Sequence, residues 1–322
     1  MNWIPSIIVD LSSDLRMPKM KDITLPSIFP SEETMLDVLK KTIEQSWKTD
    51  LDIEDIEAWL SNFKGVCFDV DVERKLALWL LCNFTYYNED EVNHMCHVLF
   101  KNLVHRLMTD NGLSTEADAE AQIRRTSFTS IGRASESGGF LLYHFRQESN
   151  LDLERFIFPT DILKTESDSI VCVDDVMMSG GTAQRFFHDH KDALAAKKIY
   201  YISLITTDTA VEKLEKLGIT VIYCAKLDKR SQLFSDNSLA FYKFPEIKEH
   251  AKELAEEYGK LIEPKKPLGH NNGEYCFGMF YNVPNNSLPI FWSDKNGWHP
   301  IFLRKEKYQN AKQAKRKYSH FI

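Results

Sequence analysis

Apolar residues in the first third of the chain recur at helical spacing. Met35, Leu39 and Ile43 stand four apart behind Ser31, Glu32 and Glu33, the composition of a capped helix start. A second stripe, Val72, Leu76 and Leu80, runs through DVERKLALWLLCNF. Asn88 with Glu91 reads as a capping box, and Val92, Cys96, Leu99, Leu103 and Leu107 then fill one helical face. The chain is expected to be helical up to about residue 112. Before it, residues 1–30 carry Pro5, Pro18, Pro26 and Pro30 without periodicity, which reads as an extended arm.

The rhythm then changes. SFTSIG (127–132), RFIFP (155–159), SIVCVD (169–174), KIYYISLIT (198–206) and ITVIYCAKL (219–227) are short β-rich runs, several with helical segments between them. In TAVEKLEKLG, Thr209 and Glu212 read as a capping box and Gly218 as the stop. Strands that alternate with helices, and are apolar throughout, predict a parallel sheet covered on both faces. Beyond Lys226, PEIKEHAKELAEEYGKLI predicts an amphipathic helix opened by Pro245. Residues 263–304, rich in Gly, Pro, Asn and aromatics, predict irregular loops with short strands.

Composition narrows the class. A chain of 322 residues, 43% hydrophobic and 27% charged, is long enough for a stable core and is globular. A net charge of −7 argues against coating nucleic acid by overall charge. Six cysteines without any C-x-x-C pair argue against a disulfide framework and fit a reducing cytoplasm. His94, Cys96 and His97 lie close in sequence, but their spacing on a helix gives poor zinc geometry. The opening MNWIPSIIVDLSSDL lacks the basic and apolar regions of a signal peptide, and no stretch approaches the roughly 20 apolar residues of a membrane span. No membrane partner is expected.

The chemistry concentrates at residues 171–183, VCVDDVMMSGGTA. Ile170 to Val173 predict a buried strand that delivers Asp174 and Asp175 at its carboxyl end, the edge where open α/β sheets bind ligands. Ser179, Gly180, Gly181 and Thr182 predict a tight turn into a helix near Ala183. Its backbone N–H groups, two hydroxyls and helix dipole suit a phosphate. Two carboxylates beside such a cup would repel the ligand unless they accept from neutral hydroxyls. The 2′ and 3′ groups of a ribose fit, each bond to a charged acceptor being worth roughly 1.5–3 kcal/mol. A carboxylate here also suits positive charge developing at the anomeric carbon. Against this stand a plain helix cap and a receiver-type magnesium site. In the latter the acids close the first strand and no Gly-Gly-Thr loop follows.

The same stretch resembles the phosphoribosyl-diphosphate signature of type I phosphoribosyltransferases. The resemblance implies that Asp174 and Asp175 hold the ribose hydroxyls and that Ser179 to Thr182 hold the 5′-phosphate. It also directs attention to GRASESGG (132–139), between a strand and the helix FLLYHFRQ. There Gly132, Arg133, Ser135, Ser137 and Gly138 are candidates for a diphosphate. Glu136 departs from that role unless magnesium, brought by the diphosphate, screens it or it turns away. A serine-rich structural turn is the plainer alternative.

The far segment, VPNNSLPIFW followed by WHPIFLR, resembles a divergent phosphoribosyltransferase-like family found beside bacterial conflict and antiphage systems, including retron loci. Together with SESGG and VDDVMMSGGT this resemblance covers about residues 60–304 and implies an effector role. Asn285 and Asn286 are candidates to read a base edge, with Trp292 or Trp298 to stack on it; loop-capping amides and core tryptophans are the alternative. The tail from Arg304 to Lys317 is basic, with Tyr308 and Tyr318 interleaved. It is either a solvated terminus or a grip on nucleic acid in a nucleoprotein complex, such as one built on a reverse transcriptase.

The expectation is therefore a Rossmann-like type I phosphoribosyltransferase core with a parallel sheet at 113–227. A helical N-terminal region occupies 1–112, and a C-terminal hood with a basic tail occupies 228–322. The ligand is phosphoribosyl diphosphate or a nucleotide, with magnesium carried on the ligand's diphosphate. The reaction is transfer or glycosidic cleavage at ribose C1. A binding module without chemistry is the alternative.

Overall fold

The computed structural model describes residues 21–131 and 137–303. Its first helices are α1 (Glu32–Thr42), α2 (Ile53–Leu60) and α3 (Val70–Cys82), followed by a short strand β1 (Thr85–Tyr87) inside the region expected to be helical. Ser31 caps α1 by accepting from the Thr34 N–H at 3.2 Å. The long helix α4 (Glu89–Asn111) opens on the Asn88–Glu91 capping box and ends at left-handed Gly112. Its stripe Val92, Cys96, Leu99, Leu103 and Leu107 is at most 1% exposed. A helix at α5 (Glu116–Arg124), capped by Thr115, leads into the sheet.

The sheet holds β2 (Thr126–Ser130), β3 (Ser169–Met177), β4 (Lys198–Thr207) and β5 (Thr220–Leu227), parallel and in that spatial order. Between them run α6 (Ser137–Ser149), α7 (Gly181–Asp189), α8 (Lys191–Leu194) and α9 (Asp208–Glu215). RFIFP is not a strand. Only Phe156 bridges, in parallel, to Phe128 on the outer side of β2, and the Ile157 N–H donates to the Phe128 carbonyl at 2.9 Å. Short 3₁₀ turns on either side, at Leu153–Arg155 and at Pro159–Asp161, prevent a longer ladder. The bridge nevertheless explains the layering. From β2 the chain steps outward to Phe156 through α6 on one face, then returns to β3 across the other, so both connections keep the usual right hand. Val171, Val173 and Phe128 pack with α4 and α6 on the first face. Ile170, Cys172 and Tyr201 pack with α7 and α9 on the second. The reversal of direction falls between β2 and β3, and ligands bind at the carboxyl ends beside such a switch.

Helix α9 is capped by Thr207, whose hydroxyl accepts from the Ala210 N–H, and not by the expected Thr209. Strand β4 runs to Thr207, so the first free N–H groups lie two residues earlier than the sequence pattern suggests. The helices α1–α3 do not cover the sheet. Met35, Trp59 and Leu76 share a core with Phe244, Tyr258 and Phe291 from the distant end of the chain. That end contributes α10 (Lys248–Ile262), entered through a 3₁₀ turn at Pro245, and β6 (Phe277–Met279), which pairs in parallel with β1. Tyr275, Phe277 and Met279 also touch the sheet's apolar cluster, so this segment ties the two cores together. Within the first core, Glu73 is fully buried. It accepts from the N–H groups of Gly65, Cys67 and Phe68 and from the Tyr258 hydroxyl. Among the described residues no helix is long and apolar enough to cross a membrane.

Candidate functional site

The acid pair lies inside β3, not beyond its end. Pairing continues through Val176↔Ile205 and Met177↔Thr206. The hydroxyls of Thr206 and Thr207 prolong it by donating to the carbonyls of Met177 and Met178, at 3.1 and 2.7 Å. Strand alternation starts the two side chains on opposite faces. Asp174 shares a face with Cys172 and with Cys172's β4 partner Tyr201, whose hydroxyl donates to Asp174 Oδ2 at 2.5 Å. Asp175 takes the other face, where the Tyr281 hydroxyl lies 3.4 Å from its Oδ2. Backbone N–H groups complete the set: Asp175 to Asp174 Oδ1 at 3.0 Å, and Val176 to Asp175 Oδ1 at 2.9 Å.

Asp174 is half-buried and Asp175 is only 5% exposed. The two adjacent carboxyl groups nonetheless act on one another electrostatically. Burial first, and then the adjacent charge of Asp175, hold the Asp174 carboxyl well above the usual carboxylate range against the opposing Tyr201 bond. Burial and the neighbouring carboxylates likewise push up the hydroxyls of Tyr201 and Tyr281, which remain donors. Tyr281 stands beside Asp175, and its ring packs 4.7 Å from that of Phe140. Asp174 and Asp175, expected to hold the ribose hydroxyls, already accept from tyrosine hydroxyls of the protein itself.

The turn after β3 matches its expected shape. Gly180 adopts φ +68°, a left-handed conformation that disfavours any side chain, and α7 begins at Gly181, two residues ahead of Ala183. No side chain at the capping position bonds α7, and the N–H groups of Thr182 and Ala183 that follow Gly181 are left to meet an anion. The Gly181 N–H contacts Ser179 Oγ at 3.4 Å, and Thr182 is exposed. Lys213 of α9 donates to the Ser179 carbonyl at 2.8 Å and brings a positive charge to the turn.

The second loop is described only at its end. Ser137 and Gly138 begin α6, and are helical, not loop residues. Gly138 fits against the strand ends so closely that a Cβ there would lie 2.9 Å from the Ile131 carbonyl and 3.5 Å from Asp174 Oδ1. The start of α6 thus adjoins the acid pair. Gly132, Arg133, Ser135 and Glu136 lie outside the described residues, as does the basic tail from Arg304.

Asn285 and Asn286 are placed in a different structure. The Asn286 amide donates to the His270 carbonyl at 3.0 Å, and the Asn285 carbonyl accepts from the His270 N–H at 2.7 Å. Both residues brace the turn at 269–273, where Gly269 and Gly273 leave room for the Asn286 carbonyl. Trp292 and Trp298 are buried in the core shared with α1–α3, their indole N–H groups donating to the carbonyls of Ser287 and Ile290. The residues that do reach the acids, Tyr201 and Tyr281, were missed. Tyr201 sits in the strand next to the acids, but its neighbour Tyr200 looks the same in sequence. Tyr281 carries no signal, because its partner is 106 positions away.

As for a metal, no group of three or more His, Cys, Asp or Glu side chains among the described residues is placed to hold one. Asp174 and Asp175 are the oxygen donors that would face magnesium arriving on a ligand's diphosphate, where the metal would supply charge neutralisation.

No curated protein matches the chain. Similar solved structures include an orotate phosphoribosyltransferase from Aeropyrum pernix, 15% identical, with a TM-score of 0.25 over 33% of this chain and 62% of that one. Another is the Helicobacter pylori xanthine-guanine-hypoxanthine phosphoribosyltransferase, 14% identical, with a TM-score of 0.30 over 45% of this chain and 88% of that one. The chain spans a little under two thirds of the length of the first. Family membership rests instead on the family model named PRTase-CE, which matches residues 56–304 and so takes in the acid pair, the glycine turn and the Tyr281 segment together. The chain belongs to this phosphoribosyltransferase-like family, PRTase-CE.

Proposed function

We propose that the chain binds a phosphorylated ribose, as phosphoribosyl diphosphate or a nucleotide, and acts at its C1 carbon by transfer or glycosidic cleavage. The observation that carries this reading is the uncapped start of α7 behind left-handed Gly180, a few residues from an acid pair at the sheet's switch point. The free N–H groups take the 5′-phosphate, with Lys213 adding charge. Asp174 and Asp175 take the sugar hydroxyls in place of their tyrosine donors, and a carboxylate below C1 favours the cationic transition state. Magnesium bound to the ligand's diphosphate would neutralise the leaving group. The antiphage or conflict role, with a nucleoprotein partner such as a reverse transcriptase, follows from the family resemblance and is part of the proposal.

A second reading has its own support. Both acids are already hydrogen-bonded within the protein, which suits a nucleotide sensor that closes without doing chemistry. Incubation with phosphoribosyl diphosphate, magnesium and a panel of nucleotides, followed by chromatography, separates the two. Release of diphosphate or of free base supports catalysis. Stoichiometric binding with no product over several hours supports the sensor.

A further inference from the structure

A second cleft opens on the same edge of the sheet. It follows β5, begins at Asp228, and runs to Lys248 at the start of α10, with a volume of about 690 Å³. The Leu227 end of β5 lies two strands from the Met177 end of β3, or ~10 Å at ordinary strand spacing. The cleft is therefore separate from the acid pair.

Two observations point to what it holds. Lys248 is tucked in, its side chain 16% exposed, yet its ion-pair partner Asp236 is 99% exposed and reaches back to it at 2.9 Å. Such a carboxylate has little to hold it in place except the ammonium, and it occupies the position a ligand anion would take. Finally, Tyr242 and Leu239 stand on the rim, 83% and 71% exposed, as an apolar shelf for the body of a ligand.

We infer that this cleft is a binding site for an organic phosphate monoester of nucleotide size, whose phosphate displaces Asp236 from Lys248. Arg230, now paired with Asp228 at 2.7 Å, lies at the entrance and supplies a second cation. The planar part of the ligand rests on Tyr242.

The test is isothermal titration of the full chain, at fixed ionic strength, with AMP, adenosine and inorganic phosphate. Each is repeated on Lys248→Gln, Asp236→Asn and an Asp174→Asn, Asp175→Asn double variant. AMP should bind, and adenosine should bind at least tenfold more weakly, for lack of the charged contact. Lys248→Gln should weaken AMP about tenfold. Asp236→Asn should tighten it several-fold, because the competing carboxylate is gone. The double variant should leave this binding unchanged. If AMP binding follows the double variant and ignores Lys248 and Asp236, it belongs to the acid-pair site and the inference is wrong. Weakening by Asp236→Asn, or no AMP binding at millimolar concentration, would also overturn it. Equal binding of adenosine would remove the phosphate from the claim and with it the claim.

Discussion

Two buried carboxylate sites in this protein use the same ingredients to opposite ends. Glu73 sits in the core that joins α3 to α10, and four donors converge on it: three backbone N–H groups at 2.6–3.1 Å and the Tyr258 hydroxyl at 2.5 Å. Asp174 and Asp175 also meet tyrosine hydroxyls, but each has a single backbone donor and the two charges act on one another. One carboxylate is saturated and holds a loop in place. The other two are under-supplied and crowded, a condition that costs stability and that a ligand with hydroxyls or a metal can relieve. A buried acid by itself thus says little about function; the count of donors around it separates a structural site from a binding site.

Substitutions should sharpen this contrast, and the largest effect belongs to the saturated site. Glu73→Ala leaves three N–H groups and a hydroxyl unmatched in the core, and should destabilise the fold by about 3–5 kcal/mol in urea denaturation. A loss below about 1 kcal/mol would mean that Glu73 is not holding the loop.

The crowded site should respond with the opposite sign. Asp174→Asn removes a repulsion while keeping an acceptor for Tyr201, and should stabilise the protein by about 1 kcal/mol or more at pH 7. The pH dependence fixes the mechanism. The Asp174 pKa is raised in the folded state, so its contribution to stability is complete below the ordinary carboxyl range near ~4 and is lost as pH rises through the raised value. The advantage of Asp174→Asn should therefore grow as pH climbs from about 4 towards neutrality. A constant advantage would contradict the assignment.

The glycine turn comes next. A methyl group at position 180 would meet the Ala210 carbonyl at an ordinary 3.5 Å, so Gly180→Ala should cost only the left-handed backbone penalty, about 1 kcal/mol. Because it distorts the start of α7, it should weaken ribose 5-phosphate binding by more than its small effect on stability suggests. Equal binding by the variant would take the phosphate away from this turn. The smallest effect on stability is expected from Tyr281→Phe, well under about 1 kcal/mol for a long 3.4 Å bond. Ribose 5-phosphate should nonetheless bind this variant several-fold more tightly, since the tyrosine hydroxyl no longer competes for Asp175 Oδ2. Weaker binding would make Tyr281 part of the cradle and not a competitor for it.

Much of this was legible in the sequence wherever the cause is local. The Asn88–Glu91 box, the stripe of α4, the glycine turn and the adjacent acids each depend on residues within one or two turns of chain, and each forms where the pattern puts it. The errors were local signals overruled by pairing at a distance. RFIFP has strand composition but only one partner residue, and β3 runs past its acids because β4 offers threonine hydroxyls to extend it. The α9 cap moved from Thr209 to Thr207 for the same reason. The tyrosine beside Asp175 was invisible, because Tyr281 is delivered by a strand that pairs with β1, nearly two hundred positions earlier. Asn286 looked available and is not, since its amide is spent on the His270 carbonyl.

The central claim is that Asp174 and Asp175, together with the turn at Ser179–Thr182, grip one phosphorylated sugar. Calorimetric titration of phosphoribosyl diphosphate with magnesium tests it most directly, comparing the native chain with an Asp174→Ala, Asp175→Ala double variant shown by circular dichroism to be folded. Saturable binding by the native chain, reduced at least a hundredfold in the variant, is the predicted result; equal affinity in both proteins would contradict it.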